Sequence, residues 1–126
     1  LNHYPGPLHL RQLAGEMKLS PGQLTDIRAV EAAIKDAAKA LGARILEHER
    51  SLDAVFAKGS ATASTVRRLS MEIGRLRGEL RAVHLEAHLL VRPLLNRHQI
   101  VTYDRLRGYT GSGQSHRGHS GHGQHE

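Results

Sequence analysis

Between Ser20 and Ala57 the apolar residues are Leu24, Ile27, Val30, Ile34, Ala38, Leu41, Ile45, Leu52 and Val55. They are spaced mostly by threes and fours, which places them on one stripe of a single long α-helix. Lys58-Gly59-Ser60-Ala61-Thr62 reads as a turn. The period then resumes at Val66, Leu69, Ile73, Leu76, Leu80, Val83, Ala87, Leu90 and Leu94. This predicts a second long helix from about Ala63 to Arg92 with a coiled-coil-like seam. Two helices joined by so short a turn are expected to pack antiparallel.

Both ends of this pair carry a helix-start signal. Before the first helix stands Leu19-Ser20-Pro21-Gly22-Gln23, with Ser20 as cap, Pro21 at the first helical position and Gln23 three residues after the cap. After the second helix, Pro93 interrupts the pattern and Leu95-Asn96-Arg97-His98-Gln99 repeats the device, with Asn96 as cap and Gln99 in the third position. A short terminal helix from about Asn96 to Arg107 follows. Leu10, Leu13, Ala14 and Met17 predict another short helix over Leu8 to Lys18, preceded by an extended lead-in. The expected fold is all-α: a hooked antiparallel hairpin of about four helices within residues 1–108. Beyond Gly108 the composition is Gly, Ser, Gln and His without apolar period, so residues 109–126 read as a disordered tail.

Composition narrows the chemistry. There is no cysteine, which excludes disulfides and thiolate metal sites. The net charge of +6 favours acidic partners, but there is no recognition-helix motif and too few aromatic residues for base stacking, which argues against nucleic acid. No glycine-rich phosphate loop and no nucleophile–base set is present, so an enzyme is not expected. No apolar run approaches the ~20 residues of a membrane span. The first residue is Leu, which reads as a start inside a longer precursor or after processing.

Ten histidines stand out. His116, His119, His122 and His125 recur every third residue in the tail and suit weak, unselective metal binding; the alternative is a purification-tag remnant. His84 and His88 are one helical turn apart and face the same way, as metal ligands or as a solvated face. Their stretch is not the metalloprotease motif. Glu31 falls on the seam side of the first long helix, where a carboxylate is costly unless paired or coordinated. With the turn at its centre, the hairpin sets Glu31 opposite about residue 89, beside His88 and one turn from His84. The three side chains form a plausible shell for a divalent transition ion; the alternative is a salt bridge from Glu31 to Arg28, Lys35 or Arg92. By the same register His48 falls opposite Glu72, read as a polar pair that sets alignment. His98 lies inside the second cap and is expected to be exposed.

A long helical hairpin flanked by two Leu-[Thr/Ser]-x-x-Gln motifs resembles the Spy/CpxP family of periplasmic proteins, with its zinc-associated and heavy-metal-sensor relatives. Ser20 replaces the usual Thr in the first motif and Asn96 in the second; Tyr103-Asp104-Arg105-Leu106 also looks familial. Within that family the likeness is to nickel/cobalt sensors of the CnrX type. The resemblance implies that a metal-binding glutamate falls on Glu31 and that a His–Met ligand pair falls on His84 and His88, with His for Met. That type carries two further His before the first motif. Here His9 stands with Leu13 at the matching position, and His3 reaches the site only if the lead-in bends.

The resemblance further implies a periplasmic homodimer that binds Ni, Co, Zn or Cu. It implies an upstream signal or anchor, and a membrane-bound anti-sigma factor or sensor kinase that reads the conformational change. The alternative function is an ATP-independent chaperone for unfolded clients. In that reading Arg67, Arg68, Arg75, Arg77, Arg81 and Arg92 supply a basic face and the tail buffers metal.

Overall fold

A computed structural model describes residues 3–108. The elements are α1 (Pro7–Gln12), α2 (Ala14–Met17), α3 (Pro21–Ala57), α4 (Ala63–Val91), a 3-10 turn (Arg92–Leu94) and α5 (Arg97–Arg107). Among the described residues there is no strand, and the fold is all-α. The chain divides into two compact units: Lys35–Val83, and the described residues on either side of it, 3–34 with 84–108.

In the unit Lys35–Val83 the two long helices pack together. Ile45, Leu69, Ile73 and Leu76 are buried, on the predicted stripes. Ion pairs join the helices: Arg77 to Glu49 at 2.9 Å and Arg44 to Glu72 at 3.8 Å. His48 lies near enough to Glu72 for its charge to bear on the carboxyl, as the register predicts, but each takes its direct bonds from other partners. His48 bonds through Nδ1 to the Arg44 carbonyl at 2.8 Å, and Glu72 takes Arg75, one turn along its own helix, at 2.6 Å. A guanidinium carries full charge and a planar fork of donors, so it outcompetes an imidazole for a half-exposed carboxylate. The Arg75 hydrogen bond holds the Glu72 carboxyl below its ordinary value, with smaller contributions from Arg75, His48 and Arg44 charge.

The turn between these helices is defined by its hydrogen bonds. Ser60 N–H donates to the Val55 carbonyl and Gly59 N–H to that of Phe56, a Schellman closure with Gly59 at φ +70°. Thr62 then caps α4, its Oγ1 accepting from Thr65 N–H at 3.1 Å.

In the other unit the core is Leu10, Met17, Ile27, Val91 and Tyr103, with Leu13, Leu19, Val30, Leu94 and Leu95 packed against it. Two details differ from the periodicity. Val91, not Leu90, is the buried residue at the end of α4, and Leu90 is exposed. The stripe drifts by one position over so long a helix because 3.6 residues per turn and a mixed three–four spacing fall out of step. The predicted helix over Leu8 to Lys18 is two pieces, broken at Leu13, where ψ is 17°. α2 contains Gly15, a weak helix former, and ends at Lys18 in the left-handed conformation, φ 56°.

Candidate functional site

The two glutamine motifs meet. Ser20 and Gln23 form the predicted capping box: Gln23 N–H donates to Ser20 Oγ at 3.0 Å and Ser20 N–H to Gln23 Oε1 at 2.9 Å. Asn96 and Gln99 do the same at 2.8 and 3.0 Å. The glutamines then bond to each other in both directions. Gln23 Nε2 donates to Gln99 Oε1 at 2.8 Å, and Gln99 Nε2 donates to Gln23 Oε1 at 3.0 Å. The remaining donor capacity goes to carbonyls: Leu94 for Gln23 at 3.0 Å, Lys18 and Met17 for Gln99 at 3.4 and 3.5 Å. Each amide therefore uses both its oxygen lone pairs and its N–H groups. The motifs cap α3 and α5 and clasp their starts together.

Next to this clasp the N-terminal segment lies against the helices, held by polar contacts. The Asp104 carboxylate on α5 is buried and takes both the His3 ring Nδ1 and the His3 backbone N–H, the latter at 3.2 Å. The Tyr4 carbonyl accepts from His88 Nδ1 at 2.8 Å. Gly6 lies so close over that ring that an added Cβ would stand 3.0 Å from His88 Cε1. Arg107 on α5 donates to His9 Nδ1 at 2.9 Å. Arg11 grips Glu31 on α3 with two hydrogen bonds of 2.9 Å. This pairing raises the Arg11 guanidinium above its already high ordinary value.

The sequence-predicted ligands are thus distributed as follows. His3, His9, Glu31 and His88 all belong to the contact between the N-terminal segment and α3, α4 and α5. His84 is half-buried one turn before His88 on α4. His98 is exposed, as expected from its place in the cap. His116, His119, His122 and His125 lie outside the described residues.

The donor types suit a borderline divalent ion: neutral imidazoles and one carboxylate. His88 has a backbone carbonyl on Nδ1, the orienting contact typical of metal-bound imidazoles. The arrangement does not suit one. Arg11 occupies both oxygens of Glu31, and Arg107 faces His9. Among the described residues no three His, Cys, Asp or Glu side chains are grouped so as to hold an ion. The expected shell of Glu31, His84, His88 and His9 is therefore not assembled in this arrangement. The physical reason is local: two guanidiniums donate to the carboxylate oxygens and the imidazole nitrogen whose lone pairs would otherwise be open to a cation.

Several of these residues carry no sequence signal on their own. Arg11 and Arg107 stand in no motif, and Asp104 is marked only within Tyr103-Asp104-Arg105-Leu106. Glu31 was expected to pair, if at all, with Arg28, Lys35 or Arg92, all close in the hairpin; its partner comes from α1. The reciprocal glutamine bonds had a signal in the repeated motif itself.

No family model, no curated protein and no solved structure matches the chain. No helix among the described residues is long and apolar enough to cross a membrane.

Proposed function

We propose that this chain is a periplasmic, metal-responsive protein of the Spy/CpxP-like kind. In this reading it is a hooked antiparallel hairpin that works as a homodimer and passes its state to a membrane-bound anti-sigma factor or sensor kinase. The Arg77–Glu49 and Arg44–Glu72 pairs support the antiparallel hairpin. One observation carries the metal reading: four of the five candidate ligands, His3, His9, Glu31 and His88, lie in the contact that holds the N-terminal segment to the helices. A sensor needs a contact with two states of different affinity for its effector. Here one state is closed by Arg11 and Arg107. A divalent ion, when bound, supplies a competing positive charge to the same carboxylate and imidazoles. The chain's own part is to release Arg11 from Glu31 and Arg107 from His9, and to keep His88 oriented by the Tyr4 carbonyl.

The test is calorimetric titration of the protein carrying Ser at His116, His119, His122 and His125, with Ni(II), Co(II), Zn(II) and Cu(II). The expected result is micromolar or tighter binding, weakened at least about tenfold by Glu31→Ala and by His88→Ala. An absence of binding once the tail histidines are replaced sinks the reading.

A second reading has its own support. In the unit Lys35–Val83, Leu46, Phe56 and Met71 are exposed, Phe56 at 61%. Arg67, Arg68, Arg75 and Arg77 share the unit and are exposed too. Apolar side chains among exposed arginines suit unfolded clients, and suppression of aggregation of a denatured protein without ATP tests for this.

A further inference from the structure

An open groove of ≈ 480 Å³ lies between the end of α4 and α5. Its apolar lining includes Leu89, Ile100 and Val101, and Leu89 and Val101 are 59% and 53% exposed. Tyr4 forms one wall, with the Arg92 guanidinium stacked 4.3 Å from its ring centre. Arg97 forms another wall. No Asp or Glu lines the groove, and among the described residues neither arginine is in an ion pair. Large apolar side chains left in water beside two uncompensated cations mark an interaction surface.

We propose that this groove docks a short linear segment of a partner protein, an apolar side chain flanked by carboxylates. The volume matches the lower part of the range for pockets that hold small ligands or single anchor residues. Leu89, Ile100 and Val101 receive the apolar side chain. Arg92 and Arg97 receive the carboxylates, Arg97 with its full fork of donors and Arg92 with its plane already fixed on Tyr4. Charge complementarity selects this occupant. The chain's own residues 109–126 are rich in Gly and His and hold one large apolar side chain, Tyr109, and one carboxylate side chain, Glu126, at opposite ends, so they do not offer an apolar side chain flanked by carboxylates. Nucleic acid would find anchoring charge but an aliphatic floor in place of stacking rings. The groove shares Tyr4 with the His88 contact, but Leu89, Arg97, Ile100 and Val101 take no part in the contacts of Glu31, His9 and His88, so binding measured without added metal tests the proposal apart from metal binding.

The experiment is fluorescence anisotropy on the full chain. The probe is a short fluorescein-labelled peptide with a Leu-Phe centre flanked by aspartates; lysine-flanked and Ser-Ser-centred versions serve as controls. The aspartate peptide is expected to bind at least about tenfold more tightly than either control. Leu89→Asn and Val101→Asn, both at exposed positions, are expected to weaken it by a similar factor with an unchanged circular dichroism spectrum. Arg97→Glu is expected to reverse the preference, so that the lysine-flanked peptide binds better. Equal binding of all three peptides, or no binding, overturns the proposal. So does conversion of a dimer to a monomer by Leu89→Asn in sedimentation, which assigns the face to a second copy. Binding of phosphatidylglycerol vesicles in place of the peptide overturns it as well.

Discussion

The side-chain amides of Gln23 and Gln99 are bonded to each other twice, oxygen to nitrogen in both directions, although the residues are far apart in the chain. Each amide also closes its own capping box. Gln99 is 5% exposed, so nothing in water can replace a partner it loses. Gln23→Ala and Gln99→Ala are each expected to destabilise by about 1–3 kcal/mol, the cost of unsatisfied buried polar groups. The double variant should lose clearly less than the two losses combined, because the shared bonds can be removed only once. Additive losses in urea unfolding would show that the clasp is not a unit.

Gly6 covers the His88 ring. Gly6→Ala places a methyl 3.0 Å from Cε1 of a ring that is 3% exposed. The backbone there is ordinary, φ −94° and ψ 161°, so the effect is steric and falls on His88. The expected loss is about 1–3 kcal/mol, with displacement of the His88 ring from the Tyr4 carbonyl. The imidazole NMR signals of His88 report the displacement; an unmoved signal at unchanged stability contradicts it.

Lys18 ends α2 with φ 56°, a conformation in which a Cβ crowds the following carbonyl. Lys18→Gly is expected to raise stability by about 1 kcal/mol, since the left-handed cap is kept and its steric cost removed. The loss of a lysine charge at this exposed site is expected to have little effect. A lower melting temperature in the glycine variant would mean that the lysine side chain contributes contacts that outweigh the strain.

Glu72 gives the unit Lys35–Val83 a pH dependence of known sign. Its folded-state carboxyl is held below the ordinary 4.5, chiefly by the Arg75 hydrogen bond. A depressed carboxyl contributes stability above its unfolded value, and the contribution is lost as pH falls below 4.5 through the folded value. Thermal unfolding should therefore place Glu72→Gln below the parent at neutral pH. The two should converge in acid. The difference is expected to be small because the pair is exposed. A gap that widens in acid has the wrong sign for this assignment.

Arg11 is expected to oppose metal at Glu31. In the protein without tail histidines, Arg11→Ala should tighten divalent-ion binding by about tenfold, because a competing charge leaves the carboxylate. Arg11→Lys, which keeps charge but not the bidentate fork, should fall between the two. Weaker binding in Arg11→Ala would make the arginine a support of the site rather than its competitor.

The sequence by itself determined the two long helices and the terminal helix with their ends, though not the break at Leu13 that divides the first short helix. The three–four spacing of Ile27 to Val55 and Val66 to Ala87 specifies stripes that need a partner surface. Ser20, Asn96, Gly59 and Pro93 mark starts and stops through backbone chemistry that acts within a few residues. Local rules suffice because caps and turns satisfy neighbours in the chain. Register-dependent choices were less legible: Val91 in place of Leu90 in the core, and Arg75 and Arg44 in place of His48 at Glu72. They depend on where a stripe has drifted after many turns and on which charged side chain is longest and most strongly paired.

Only the tertiary structure decided what the polar residues near the chain ends do. Glu31, His9, His3 and His88 are each compatible with a metal ligand in the sequence. Each was given its present partner by a segment distant in the chain: Arg11, Arg107, Asp104 and the Tyr4 carbonyl. A carboxylate or imidazole takes the strongest donor, acceptor or charge that folding brings within about 3 Å. That choice depends on how the N-terminal segment lies on the helices, and no periodicity encodes it. The repeated motif shows the same division. Each copy announces a helix start by itself, and only the fold brings Gln23 and Gln99 together to bond to each other.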